Sequence, residues 1–123
     1  MRTQFHFWPT AEGKGYDAWD VARLIELSLN LPVHDVPVDA LTEVDTNYWS
    51  EPDPTVRWVV GHARLIRDVD TGYPIILRPD GCVMDGMHRV CRALLEDRPT
   101  IAARRFTVLP EPDHRNVALT DLP

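Results

Sequence analysis

The residues best placed to do chemistry lie together in the stretch Met84-Asp85-Gly86-Met87-His88-Arg89, which brings an acid, a glycine and two basic side chains close in sequence. An apolar, strand-like run from Tyr73 to Leu77 and an Arg78-Pro79-Asp80-Gly81 turn precede it. Val90, Cys91, Ala93, Leu94 and Leu95 follow at helical spacing, so the stretch turns a strand into a helix. Asp85 is expected to be the helix N-cap, and Gly86 to allow a positive φ or a close approach to a ligand. His88 and Arg89 then fall in the first helical turn. A cation there opposes the helix dipole by about 0.3–1 kcal/mol unless an anion is bound as well. Unpaired N–H groups, a glycine and two basic side chains describe a phosphate site.

Each of these residues also has an ordinary structural reading. Arg89 is either a phosphate ligand or part of a polar stripe with Arg92 and Glu96 on the helix surface. His88 is either satisfied locally or a donor to a β- or γ-phosphate. Asp85 caps the helix, and could also hold Mg²⁺ beside the phosphates or orient a substrate hydroxyl. The segment from Thr42 to Pro54 supplies Glu43, Asp45, Glu51 and Asp53. It is long for a loop in so small a domain, and such loops are usually functional or disordered. Its acids are either a solvated surface or, if the loop folds over the corner, the source of a base or a metal ligand. His34 and His62 stand singly, without zinc-site spacing. Trp49 and Trp58 read as core or loop anchors rather than stacking platforms.

The elements that must position these groups follow from pattern. Residues 1–16 read as an extended arm packed by Phe5, Phe7 and Trp8. A first helix is expected from about Asp17 to Asn30, with Ala18, Val21, Ala22, Ile25 and Leu29 on its inner face, ended by Pro32. Val33 to Val38 reads as a short strand whose proline suits a sheet edge. Thr55 caps a second helix to about Val69, with Val56, Val59, Val60, Ala63 and Ile66 facing inward. A hairpin over 73–84, a helix over 87–97 and a strand over 101–106 complete the core. Beyond Pro110 the chain is polar and proline-rich, and a poorly packed tail is expected.

At 123 residues, 44% hydrophobic and 26% charged, the chain has the length and composition of one ordinary globular domain. Its expected parts are an arm and helix over 1–32, a core over 33–108 and a polar tail over 109–123. A net charge of −6 argues against general nucleic-acid binding. A local basic patch is still expected from Arg78, Arg89, Arg92, Arg98, Arg104 and Arg105. The two cysteines, Cys82 and Cys91, read as strand core and helix core rather than a redox pair. No apolar run approaches the ~20 residues of a membrane span and no signal-peptide core opens the chain, so a cytoplasmic location is expected.

From about Val36 to Phe106 the chain resembles the ParB/sulfiredoxin-like superfamily. The resemblance rests on the order strand, acidic loop, helix, Pro74-Ile75-Ile76-Leu77 hairpin, Asp85-Gly86-Met87-His88-Arg89 corner, apolar helix and final strand. It implies a small α+β fold, a mixed sheet packed with helices, whose glycine corner holds nucleotide phosphates. Sulfiredoxins carry a cysteine before the His-Arg pair, where this chain has Met87. ParB clamps carry paired arginines there and add a helix-turn-helix domain. The corner is most similar to that of ADP-dependent free serine kinases, which also read Asp-Gly-x-His-Arg and take a base from the loop after the first strand. In this chain Glu43 or Asp45 would be that base.

The expected ligand is therefore ATP, ADP or CTP with Mg²⁺, and the expected activity phosphoryl transfer or nucleotide hydrolysis. Asp85 would be catalytic and metal-binding, while Gly86, Met87, His88 and Arg89 hold the phosphates and a small hydroxyl compound acts as acceptor. Two other readings stand beside it: a non-catalytic interaction or regulatory module, and a DNA-associated ParB-type nuclease or clamp.

Overall fold

The computed structural model describes residues 4–11, 13 and 15–122, and shows a small α+β domain. Its elements are β1 (Phe5–Pro9), β2 (Tyr16–Asp20), α1 (Val21–Ser28), β3 (His34–Pro37), α2 (Val56–Asp68), β4 (Ile75–Leu77), β5 (Val83–Asp85), α3 (Met87–Leu95), β6 (Thr100–Arg105) and β7 (His114–Val117). Two 3₁₀ turns, Val38–Ala40 and Thr42–Asp45, lie between β3 and α2.

The strands form a three-stranded sheet in the order β1-β2-β7 and a four-stranded sheet in the order β3-β6-β4-β5. The larger sheet is mixed: β4 runs parallel to β6, while β3–β6 and β4–β5 are antiparallel. The parallel pair needs a crossover, and β5 with α3 supplies it. Pro37 lies on the edge strand β3, where a residue without an N–H is tolerated.

Alternation along β4 and β5 divides the core. Ile75, Leu77 and Val83 face Met87 and Val90 of α3, together with Leu41. Ile76 and Met84 face the opposite way and meet Trp19, Leu24 and Phe106. α3 therefore covers one face of the larger sheet, and α1 with the smaller sheet covers the other.

Both ends of the described chain differ from the sequence expectation. The N-terminal arm is a β-ribbon, with Phe5 to Pro9 paired against Asp20 to Tyr16. The first helix starts at Val21 rather than Asp17, because Asp20 caps it by accepting a hydrogen bond from the Ala22 amide at 2.9 Å. Its buried residues are Val21, Leu24 and Ser28, whereas Ile25 and Leu29 are exposed. The tail is packed as well. β7 pairs with β2, the Trp19 indole N–H donates to the Pro110 carbonyl at 2.7 Å, and Asp113 accepts from the Asp20 amide.

α2 spans the expected residues, and the Thr55 hydroxyl caps it from the expected position. Its inner face differs, because Val56, Val59 and Val60 are exposed. Trp58 and His62 make the aromatic contacts toward the corner, and Arg92 of α3 donates to the carbonyls of Ile66 and Arg67. Among the described residues no helix is long and apolar enough to cross a membrane.

Candidate functional site

The corner between β5 and α3 is a left-handed turn. Gly86 has φ 109° and ψ 21°, and its carbonyl accepts from the Arg89 and Val90 amides. The residue before α3 is thus Gly86, and Asp85 is not the N-cap. Asp85 ends β5, and its carboxylate accepts from the Arg89 guanidinium at 3.0 Å. A Cβ on Gly86 would lie 2.7 Å from both Ile75 Cγ2 and Arg89 Nη2. The glycine is therefore required by close packing against the protein's own side chains.

Arg89 does not lie on the helix surface. Its side chain is 14% exposed, sits against Asp85 and donates a second, longer bond to the Pro74 carbonyl at 3.4 Å. Its Nε is buried without a hydrogen-bond partner among the described residues. The polar stripe on α3 is instead Arg92 with Glu96, extended by Arg98. Met87 is buried in the core against the larger sheet, so only its backbone can serve a ligand. The Met87 and His88 amides have no hydrogen-bond partner among the described residues.

The acidic loop does fold over the corner, but its acids are used unevenly. β5 is an edge strand, and two loop side chains cover it. Glu43 accepts from the Val83 amide at 2.5 Å, and the Tyr48 hydroxyl donates to the Val83 carbonyl at 3.3 Å. These bonds satisfy polar groups that an edge strand would otherwise leave open. Burial raises the Glu43 pKa above the usual carboxylate value, although the Val83 hydrogen bond works against it. Burial, then the nearby Glu43 charge, likewise raises the Tyr48 phenol. Asp45 is exposed, and its carboxylate makes no hydrogen bond or ion pair among the described residues.

The residues that sequence reasoning set aside form an aromatic cluster with His88 beside the corner. His62 is not isolated, because its Nδ1 lies 3.1 Å from His88 Nε2. In this contact one ring donates its N–H to the other's bare nitrogen. Trp49 stacks on His88 at 5.1 Å and 23°, and Trp58 packs on His62 at 4.1 Å. Burial, and secondarily His62, lowers the His88 pKa, which keeps its ring neutral near pH 7. His62 and His88 lie 26 residues apart on two helices, and no local pattern reveals that distance.

The expected basic patch is absent because its members are used individually. Arg78 is buried, Arg104 donates to the Leu29 and Leu31 carbonyls, and Arg105 donates to the Pro79 carbonyl. Both cysteines are free and half-buried, with Cys82 in the turn before β5 and Cys91 in α3. Burial pushes the Cys82 thiol up to about 11 and raises Cys91 as well, so both remain protonated.

No group of three histidine, cysteine or acidic side chains able to hold a metal occurs among the described residues. Asp85 is the acid of the corner, and one of its oxygens is committed to Arg89. No family model, curated protein or solved structure matches this chain.

Proposed function

We propose that the chain is a nucleotide-binding domain of ParB/sulfiredoxin-like architecture, with the phosphates held at the first turn of α3 and nucleotide hydrolysis or phosphoryl transfer as its activity. The observation that carries this reading is the pair of unpartnered amides, Met87 and His88, beside a neutral imidazole at a left-handed glycine turn. Such a turn offers N–H donors and the positive end of a helix dipole to an anion. The His62–His88 pair is better placed for proton transfer than either loop acid, since Glu43 is tied to Val83 and Asp45 is exposed. Trp49 stacks on the His88 ring of that pair.

One observation favours a non-catalytic binding module instead. Arg89 and Asp85 are spent on each other, so the guanidinium expected to stabilise developing phosphate charge is held inside the fold.

Calorimetry with ATP, ADP, CTP and GTP tests binding, and nucleotide consumption with free serine and other small hydroxyl acceptors tests turnover. A bound nucleotide at 100 times its Kd should stabilise the protein by about 2.7 kcal/mol. Binding that is lost in His88→Ala, with turnover in the wild type, supports the enzyme. Binding without turnover selects the module. Flat titrations with all four nucleotides reject a nucleotide site at α3.

A further inference from the structure

A separate cavity of about 390 Å³ opens where the smaller sheet meets the end of β4. Its lining includes Trp8, Trp19, Leu109, Pro110, Arg78 and Arg115. No residue of the α3 corner lines it. The volume is in the range of small-molecule sites, which combine apolar walls with a few placed polar groups.

Arg78 is the unusual member. Leu77 faces α3, so alternation turns the next residue toward the smaller sheet, and Arg78 is only 7% exposed. Its guanidinium carbon lies 3.8 Å over the Trp8 ring and 5.4 Å from that of Trp19. A guanidinium has five N–H donors. Here one makes a long 3.4 Å contact with His6 Nε2. Asp80 forms an ion pair with Arg78, its carboxylate 3.7 Å from Nε, but at that length Nε stays buried with no hydrogen-bond partner among the described residues. Nη2 makes no hydrogen bond among the described residues either. Its charge is balanced by the largely exposed Asp80, but most of its N–H donors are unused, and two indole faces supply only part of what water would.

We infer that this cavity is a binding site for a small organic monoanion, a carboxylate on a flat apolar body, received by Arg78 between Trp8 and Trp19. The planar fork of arginine suits a carboxylate, and the indoles suit a ring or short chain. Asp17 and Glu111 also line the cavity, and Glu111 is already paired with Arg115. With Asp80 already paired to Arg78 and Asp17 and Glu111 at the lining, the free guanidinium donors suit a single carboxylate, and the surrounding acids repel a polyphosphate. The site is therefore distinct in chemistry, as well as place, from the proposed nucleotide corner.

Tryptophan fluorescence and calorimetry on the full chain test the assignment with benzoate, cinnamate and indole-3-acetate, using benzamide and acetate as controls. At least one of the three aromatic acids should saturate with one-to-one stoichiometry and perturb the fluorescence. It should bind at least tenfold tighter than benzamide, which lacks the charge, and than acetate, which lacks the body. Arg78→Lys keeps a cation and should weaken binding tenfold or more. ATP should not compete. No saturation by any of the acids below 10 mM, benzamide binding as well as benzoate, or unchanged affinity in a folded Arg78→Lys would each overturn the site and leave Arg78 as internal packing. If Arg78→Lys fails to fold, the comparison of benzoate with benzamide on the wild type decides alone.

Discussion

Gly86 and Arg89 show how one residue's packing fixes another's role. The glycine's missing Cβ is the space that Arg89 Nη2 and Ile75 fill, and its positive φ disfavours any side chain. Gly86→Ala is expected to cost about 1–3 kcal/mol, read as a lower urea midpoint, even without ligand. Arg89→Ala should also destabilise the free protein by roughly 1–3 kcal/mol, because it strands the Asp85 carboxylate in a site only 19% exposed. A surface-stripe arginine would instead change stability by less than about 0.5 kcal/mol. The double variant Asp85→Asn/Arg89→Ala should lose less than the sum of its single changes, as expected for a direct contact. Strict additivity would show that the pair is not coupled.

The loop from Thr42 to Pro54 covers the edge of β5, and Glu43 within it has a definite structural duty. Glu43→Ala should destabilise by about 1–3 kcal/mol, since it leaves the Val83 amide unpaired. Glu43→Gln retains a carbonyl acceptor and should cost less than about 1 kcal/mol; equal losses in the two variants by urea unfolding would discount the bond. If Glu43 were a general base, the glutamine variant would stay stable but lose turnover by about 10²–10⁴. Elements from β3 to β6 were legible because their signals are local: apolar alternation, the Asp80-Gly81 turn and the Thr55 cap. Tyr16–Asp20 was not, because Ala18, Val21 and Ala22 read as one helical stripe across a strand–helix junction that Asp20 marks. The inner face of α2 was misplaced for a related reason. The valines form the more hydrophobic stripe, but Trp58 and His62 meet the corner. The corner itself was legible as a strand–helix turn. Its partners were not, since Trp49, His62 and His88 converge from three separate segments.

At the scale of the whole molecule, acid sensitivity has an identifiable source. His6 is buried, and burial followed by the Arg78 charge lowers its pKa from 6.5 to about 4. As pH falls through 6.5 the unfolded chain takes up a proton that the folded chain refuses until about pH 4. Proton uptake thus favours unfolding across that window, and stability should decline by up to about 3 kcal/mol from this group. His88 shifts in the same direction. Glu43 acts oppositely, because its raised pKa lets the folded state hold a proton longer, so its penalty grows as pH rises past the ordinary carboxylate value. Urea midpoints between pH 7 and pH 4 check the balance, with His6→Gln as the comparison. A decline of undiminished slope in that variant would assign the effect elsewhere.

The smaller sheet also sets an order of events. β2 is bonded to β1 on one side and β7 on the other, and Tyr16 pairs with Val117 across about a hundred residues. A nascent chain has every strand of the larger sheet before β7 emerges, and closing so wide a loop is entropically slow to reward. Trp19 is translated early yet receives its Pro110 partner late. Until then the outer edge of β2 is an open template for strand addition by a chaperone or another chain. Stalled chains that expose residues only up to Phe106 should leave Trp19 accessible to iodide quenching, and chains extending beyond Val117 should protect it.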